Sequence, residues 1–337
     1  MDSATPLVSF VVQCYNTERF AADCIRSILA QEGSFDFEII AIDDCSTDRT
    51  VEVLNGFRDP RLRIIRHTAN QGHAPTINEA MRAARGRYIA RIDSDDRYRP
   101  SFLSKVLPVF GCYPNVGLVY GNAALINADG NLTVPHSDRH HGGKDFKGCE
   151  LVELLQENFI CAPTIIARRD CFLRQLPVPS HLAFHDWYFT LKIARETEFY
   201  YLHSVLADYR VHEGNMHSRT LLDKTEEPSI FWMLDLVYSS EEQTPELQQQ
   251  KLGAKRRVYG HHYLTLAEKY FGAFMTSDAR RCYSRSIWCH PQVLLRPGVA
   301  RRFIASLVGR PLYEHGKRIW NRRHESTTLV SGELPRA

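Results

Sequence analysis

Nine cysteines are scattered from Cys14 to Cys289 with no CxxC pair among them. That absence excludes a zinc ribbon or a thioredoxin-like redox motif, and an odd, dispersed set reads as free thiols in a reducing compartment. No stretch approaches the roughly twenty apolar residues a spanning helix needs. Met1 to Pro6 is too polar for a secretory leader. The expectation is a protein made and kept in the cytoplasm. Excess charge of one sign is also missing. The formal net charge is +3, so bulk electrostatics makes no case for a nucleic-acid partner. The opening strand is not followed by a GxGxxG turn, so phosphates must be held by something other than a glycine-lined helix start. There is no internal repeat, and oligomeric state is left open.

What is present is regular. Leu7–Val12, Phe37–Ile42, Arg61–Ile65 and Arg87–Ile92 are apolar strands. Helical segments alternate with them: one from Asn16 or Thr17 through Leu29, one from Thr47 or Asp48 through Leu54, one over 75–85 stopped by Gly86, and one over 101–110. That alternation predicts an α/β fold with a parallel sheet covered on both faces. After Val116 the order changes. A long strand over 117–126 precedes a polar loop over 135–149 with His136, His140 and His141, read as an acceptor-side or lid loop. A strand at 163–167, a helix through Trp187 and Ile193, and a strand at 205–211 follow. From 229 to 270 the reading is helical with a break near Pro245, and the basic remainder is placed only coarsely.

Two acidic clusters end strands of the first region, Asp43-Asp44 and Asp93-Ser94-Asp95-Asp96. Ligands bind open α/β sheets at the carboxyl ends of strands. Three carboxylates in four residues repel one another, and a divalent cation with a phosphate relieves the repulsion. An oxygen-rich set favours Mg²⁺ or Mn²⁺ over zinc. The plain alternative is that Asp95 and Asp96 cap the next helix or face solvent. Asp48 fits a helix cap, whereas Asp44 is placed to accept from the imide N–H of a uracil or thymine ring. Asn70 and Gly72 form a loop that permits close approach of a ligand, and Asn78 follows, where bonding across the helix start is the simpler role. Arg91 lies in a buried strand, so a diphosphate or a nearby carboxylate must match its charge.

The run from Pro6 to Thr50, with Val-Ser-Phe-Val-Val-Gln-Cys-Tyr-Asn and later Ala-Ile-Asp-Asp-Cys-Ser-Thr-Asp, resembles the opening of the family-two inverting glycosyltransferases with the A-type fold. Asn70-Gln71-Gly72 through Asn78 and Ile92-Asp93-Ser94-Asp95-Asp96 follow in the family's order. The resemblance is specific to about residue 100, looser to about 215, and absent over 230–337. It implies a mixed, mostly parallel central sheet with helices on both faces, in a catalytic domain over 1–228 split into a donor half (1–115) and an acceptor half (116–228). The residue pattern alone adds a mainly helical C-terminal extension over 229–337. By resemblance Tyr15, Asn16, Glu18 and Asp44 hold the nucleoside. Asn70, Gly72, Asn78, Arg91, Asp93, Ser94 and Arg210 belong to the donor site. Asp95, Asp96 and His212 are the metal candidates. Asp186 in His185-Asp186-Trp187 matches the family's general base, while His185 departs from its usual acidic neighbour.

Chemistry points the same way. An inverting transfer needs one base for the acceptor hydroxyl, and charge stabilisation for the departing diphosphate. Asp186 offers the base, with a helix N-cap as its plain alternative. His212 is a metal ligand, a donor to phosphate, or a solvent-facing loop histidine. The expected activity is metal-dependent transfer of a sugar from a nucleotide-sugar, a UDP-sugar foremost, to a saccharide or lipid-linked saccharide. The competing classes are a nucleotidyltransferase, which usually brings a glycine-rich basic opening loop absent here, and a non-catalytic nucleotide- or glycan-binding protein. Basic and apolar residues interleave over 296–323, from Arg296 and Arg301 to Trp320 and Arg323. That pattern suits either an ordinary helical surface or peripheral contact with an anionic membrane, at the inner face of the cell membrane.

Overall fold

Val8–Cys14 (β1) is fully buried along its length, as a continuous apolar run in a parallel sheet requires. The computed structural model describes residues 5–137, 140–213, 221–296 and 298–308. Parallel neighbours flank β1 on both sides: β2 (Phe37–Asp43) and β4 (Tyr88–Asp93), with β3 (Leu62–Arg66) beyond β2. Antiparallel pairing enters through β9 (Ile166–Arg168), which joins β4 to β6 (Val116–Ile126). β10 (Glu198–Arg210) runs parallel to β6, and β5 (Arg97–Tyr98) closes the order β3-β2-β1-β4-β9-β6-β10-β5. Two short strands, β7 (Leu132–Val134) and β8 (Phe146–Gly148), pair with β6 and β10. The sheet is therefore mixed and mostly parallel at its core, flanked by helices.

Helices pack their apolar stripes against it. In α1 (Ala21–Leu29), Ala21, Cys24, Ile25 and Ile28 are buried, the i, i+3, i+4, i+7 spacing of one face. α2 (Thr50–Asn55), α3 (His73–Ala83) and α4 (Phe102–Cys112) complete the first half. α5 (Leu151–Gln156), α6 (Arg169–Leu173) and α7 (His185–Ala194) follow. Phe10, Phe37, Tyr98 and Phe102 meet at centroid separations of 4.2–6.3 Å in the core beneath β1. Burying each such ring contributes about 1.5–3 kcal/mol.

Local departures from the sequence expectation have local causes. The first helix starts at Ala21, because the Thr17 carbonyl accepts the N–H groups of Phe20 and Ala21. Neither Asn16 nor Thr17 caps it. Residues 162–164 form a 3₁₀ turn, and the strand begins only at Ile166; Pro163 has no N–H to give a ladder. The loop over 135–149 contains β8 rather than being irregular throughout.

The chain divides into two units after Lys251. The first also holds α8 (Glu226–Tyr238) and the beginning of α9 (Pro245–Gly272). There the fully buried Lys251 ammonium donates to the carbonyls of Val237 and Ser240 and to Glu242, so its charge is matched inside the fold. The second unit is helical, with α10 (Thr276–Cys289) and α11 (Val299–Val308). Its core includes Val258, Leu266, Tyr270, Cys282 and Tyr283. Glycine at 260 is required there: a Cβ would lie 2.6 Å from that of His290. Among the described residues no helix is long and apolar enough to cross a membrane, and all nine cysteines are free.

Candidate active site

Strand register brings the two acidic patches together. Cys14 pairs with Asp43 on one side of β1, and Gln13 pairs with Asp93 on the other. The chain continuations are tied to the same strand end, since Asp44 N–H donates to the Cys14 carbonyl and Ser94 N–H to that of Gln13. Asp44, Asp93, Asp95 and Asp96 therefore line one cavity of about 640 Å³, together with Asp186 and His212.

Asp44 is saturated on three of its roughly four acceptor positions. Oδ1 accepts from His67 Nδ1 at 2.7 Å and Gln71 N–H at 2.8 Å; Oδ2 accepts from Gly72 N–H at 2.9 Å. Burial opposes ionisation, but these donors outweigh it and hold the carboxyl below its ordinary range. One position on Oδ2 remains, enough for a single ring N–H. Gly72 sits at φ 86°, ψ 171°, with nothing near its missing Cβ, so the backbone conformation alone demands glycine. His67 is buried and its other nitrogen faces Glu79 at 3.1 Å. Burial works against its charge, yet the two carboxylates raise its pKa above the usual histidine value.

The second patch is held differently. Arg91 Nη2 donates to Asp93 Oδ1 at 2.8 Å and Nε to Gln13 Oε1 at 3.4 Å, so the buried guanidinium is matched by a neighbouring carboxylate. Burial alone would raise the Asp93 pKa; the Arg91 guanidinium beside it drives it well below normal instead. Asp95 and Asp96 go the other way. Burial first, then Asp93, raises the pKa of Asp95; burial and Asp95 raise that of Asp96 well above the carboxylate range. Asp95 Oδ2 lies 3.1 Å from His212 Nε2, whereas Asp96 Oδ1 is turned to the Arg210 N–H at 2.7 Å.

These groups fit a divalent cation in part. The unrelieved carboxylate charge calls for one, and Asp95 with His212 presents two donors side by side. Among the described residues, however, no three His, Cys, Asp or Glu side chains are gathered as a closed cage. This matches a hard cation that completes its shell with phosphate and water. The expected three-residue set Asp95, Asp96 and His212 is thus not pre-assembled among the described residues, and Asp96 Oδ1 accepts from the Arg210 backbone N–H.

Asp186 lies in the first turn of α7, not at its cap. Phe184 occupies the N-cap without a side-chain bond. The helix dipole favours the ionised carboxylate there, and Asn158 Nδ2 donates to Oδ2 at 3.2 Å. Trp187 is buried and anchors this end of the helix through an indole bond to the Leu154 carbonyl at 2.8 Å.

Tyr15, Asn16, Asn70, Gly72, Arg91, Asp93 and Ser94 also line the cavity. Asn16 adopts φ 52°, which asparagine tolerates, and its Oδ1 accepts from Thr47 N–H. Three of the expected donor residues lie outside the lining. Glu18 accepts from Arg49 N–H and side chain, clamping two loops. Asn78 makes a two-way amide pair with the Val178 backbone. Arg210 is buried, its guanidinium donating to the carbonyls of Asp95, Asn127 and Ala128. In each case internal partners already occupy the polar group. Most of the 296–323 segment, including Trp320 and Arg323, falls outside the described residues.

Nothing in the sequence marks His73 or His67, and His185 stands out only as a departure from the family's usual acidic residue. His73 stacks on His185 with centroids 4.5 Å apart and planes 8° apart, and both line the cavity. Burial above all, with the Arg91 guanidinium nearby, lowers the His185 pKa to about 3. A lone histidine after a glycine carries no sequence signal of this kind.

Residues 9–175 match the model of glycosyl transferase family 2. The succinoglycan biosynthesis protein ExoO of Rhizobium meliloti is 42% identical over 102 residues, 30% of this chain and 29% of that protein. The putative teichuronic acid biosynthesis glycosyltransferase TuaG of Bacillus subtilis is 37% identical over 109 residues, 32% and 43% of the two chains. This chain thus spans under half the length of either. An uncharacterized glycosyltransferase of Haemophilus influenzae is 27% identical over 257 residues, 75% of this chain and 93% of that protein. Among solved structures, S. aureus TarS 1–349 in complex with UDP-GlcNAc superposes with a TM-score of 0.65 at 18% identity, covering 89% and 88%. The mannosyltransferase PcManGT of Pyrobaculum calidifontis, in complex with GDP-Man and Mn²⁺, does so at 0.58 and 16%, covering 91% and 87%. The last two establish the A-type fold. The chain belongs to glycosyl transferase family 2.

Proposed function

We propose that the protein is an inverting glycosyltransferase acting on a nucleotide-sugar, with a saccharide or lipid-linked saccharide as acceptor, in the assembly of a polysaccharide. The observation that carries this reading is the gathering of Asp44, the Asp93–Asp96 patch and Asp186 around one cavity. Asp44 and the loop at Tyr15 and Asn16 take the nucleoside. The acceptor position left on Asp44 Oδ2 suits the imide N–H of uracil, so UDP is the favoured nucleotide; TarS holds UDP-GlcNAc. Asp95 and His212 would hold Mn²⁺ or Mg²⁺, as PcManGT is found with Mn²⁺. When bound, such a cation neutralises charge that develops on the departing diphosphate.

Asp186 accepts the proton of the acceptor hydroxyl. The freed oxygen lone pair forms the new bond to the anomeric carbon from the side opposite the diphosphate. The old C–O bond breaks with its electron pair passing to the diphosphate, which inverts the centre. A positioned base of this kind contributes roughly 10²–10⁴-fold. Placement at the inner membrane face is part of the same proposal. It is supported by exposed Trp288, Leu295 and Ile304 and by exposed Arg296 and Arg301 in the second unit.

A thermal-shift panel of UDP-, GDP- and dTDP-sugars with Mn²⁺ or Mg²⁺ tests the reading. Stabilisation by a UDP-sugar plus metal, with slow release of UDP, is the expected result. A protein indifferent to every nucleotide in the panel would refute it.

A further inference from the structure

His73 and His185 have no part in the transfer step described above, yet each carries a buried nitrogen without a protein partner: Nδ1 of His73 and Nε2 of His185. Buried polar atoms in folded proteins are nearly always paired. Two such atoms, on stacked rings of residues that line the cavity, are hydrogen-bonding capacity that the protein itself does not use.

The tautomer of His73 follows from its neighbours. Arg91 Nη2 lies 3.0 Å from His73 Nε2 and cannot give up its proton, so Nε2 accepts. Asp93 Oδ1 is 3.8 Å from the same nitrogen, too far for a hydrogen bond. The ring proton of His73 therefore sits on Nδ1, a buried donor with no acceptor. His185, 6% exposed, is the first residue of α7 and stacks flat on His73, which fixes its ring in place.

Charge narrows the ligand. The guanidinium of Arg91 is matched by Asp93, burial disfavours a charge on His185, and the His73 nitrogen that faces Arg91 is an acceptor. This stretch of wall is electrically neutral in an otherwise acidic cavity. A carboxylate would find no counter-charge there. Neutral imidazole nitrogens exchange hydrogen bonds with hydroxyl groups. Location narrows it further. His73 follows Gly72, whose N–H holds Asp44, and His185 precedes Asp186. The pair stands between the residues that take the nucleotide and the residue that takes the acceptor proton. In the nucleotide-sugar reading the transferred sugar falls in that interval.

We infer that the stacked His73–His185 pair is the subsite that reads hydroxyl groups of the transferred sugar, and that it selects uncharged hexosyl donors over hexuronosyl donors. His73 Nδ1–H donates to one hydroxyl, and His185 Nε2 bonds another. The inference rests on the nucleotide-sugar reading and adds to it the class of sugar.

The test uses the full chain with Mn²⁺ and compares UDP, UDP-glucose and UDP-glucuronate. His185→Phe keeps the stack and the volume but removes Nε2. His185→Gln places an amide near the lost nitrogen. In His185→Phe, UDP affinity is expected to stay within about twofold while affinity for UDP-glucose falls about tenfold or more; His185→Gln restores most of it. The wild-type protein is expected to favour UDP-glucose over UDP-glucuronate by about tenfold or more. Retained UDP binding also reports that the variant has folded. Equal loss of UDP and UDP-glucose, unchanged UDP-glucose binding, or a preference for UDP-glucuronate would each overturn the inference while leaving nucleotide binding standing. If the wild-type protein binds no UDP at all, the nucleotide reading fails first, and the subsite falls with it.

Discussion

Two acidic strand ends meet at one cavity, and they are built on opposite electrostatic plans. Asp44 is surrounded by donors from Gln71, Gly72 and His67, which hold it ionised. Asp95 and Asp96 are crowded by Asp93 and by each other, and burial with that repulsion drives their pKa values up. The first patch is finished without a ligand and offers one remaining acceptor, which suits a neutral nucleobase edge. The second holds charge that the protein leaves unrelieved, which suits a cation. Similar sequence, two acids after a buried strand, thus gives two different tools. The difference comes from what the following loop brings: backbone N–H groups in one case, a second carboxylate in the other.

The largest effect is expected from a third carboxylate that belongs to neither patch. Asp186→Asn removes the proposed proton acceptor and leaves both patches intact. Transfer should fall on the order of 10³-fold, with donor binding within about twofold, in paired turnover and binding assays. Wild-type turnover in that variant would eliminate Asp186 as the base. Next comes Asp95→Ala, which deletes a proposed cation ligand and relieves the crowding on Asp96. Donor affinity should drop about tenfold or more with Mn²⁺ present and change little without metal. Equal donor affinity in variant and wild type across a Mn²⁺ titration would show that the second patch is not a cation site.

The same comparison explains how much could be read from sequence. The central sheet, the alternating helices and both acidic patches were legible because buried parallel strands leave continuous apolar runs and because acids after such runs are rare without purpose. Convergence of the patches was legible too, since neighbouring parallel strands must end on the same edge. Partner identity was not. Arg210, Asn78 and Glu18 look like ligand-binding groups in one dimension, but each meets an internal partner from a distant segment: Asp95, Val178 and Arg49. His67 and His73 were invisible for the converse reason. Their roles depend on Asp44 and Arg91, 23 and 18 residues away, and nothing local marks those contacts.

Asp44→Asn sharpens the comparison from the other side. The substituted amide can still accept one bond, but it turns an NH₂ toward either the Gly72 or the Gln71 N–H and gives up the charge that holds His67. The loss should be about 1.5–3 kcal/mol of stability, read by urea unfolding in the absence of nucleotide. The Asp95→Ala variant measured the same way should lose less or gain. If Asp44→Asn proves as stable as wild type, the first patch is not complete by itself.

The smallest effect is a pair of opposed pH slopes, and it separates two histidines near the cavity. The pKa of His67 is raised, so its contribution is complete below the ordinary histidine value and is lost as pH rises through the folded one. Asp44 is depressed, so its contribution is present above the ordinary carboxylate value and is lost as pH falls through the folded one. Together they favour the folded state most in the mildly acidic range. His185 acts in the opposite sense. Its pKa drops from 6.5 to about 3 on folding, so the unfolded chain takes up a proton that the native state refuses, and stability falls as pH drops from 6.5 toward 3. Between pH 6.5 and pH 5 that single group should remove roughly 1.5 kcal/mol. His185→Phe should abolish this share of the acid loss, whereas His67→Asn should leave it in place and flatten the alkaline side instead. Urea midpoints of the two variants and the wild type at pH 5, 6.5 and 8 distinguish these outcomes. An acid slope in His185→Phe as steep as in the wild-type protein would mean that the ring is already charged, and that the neutral wall beside Arg91 does not exist.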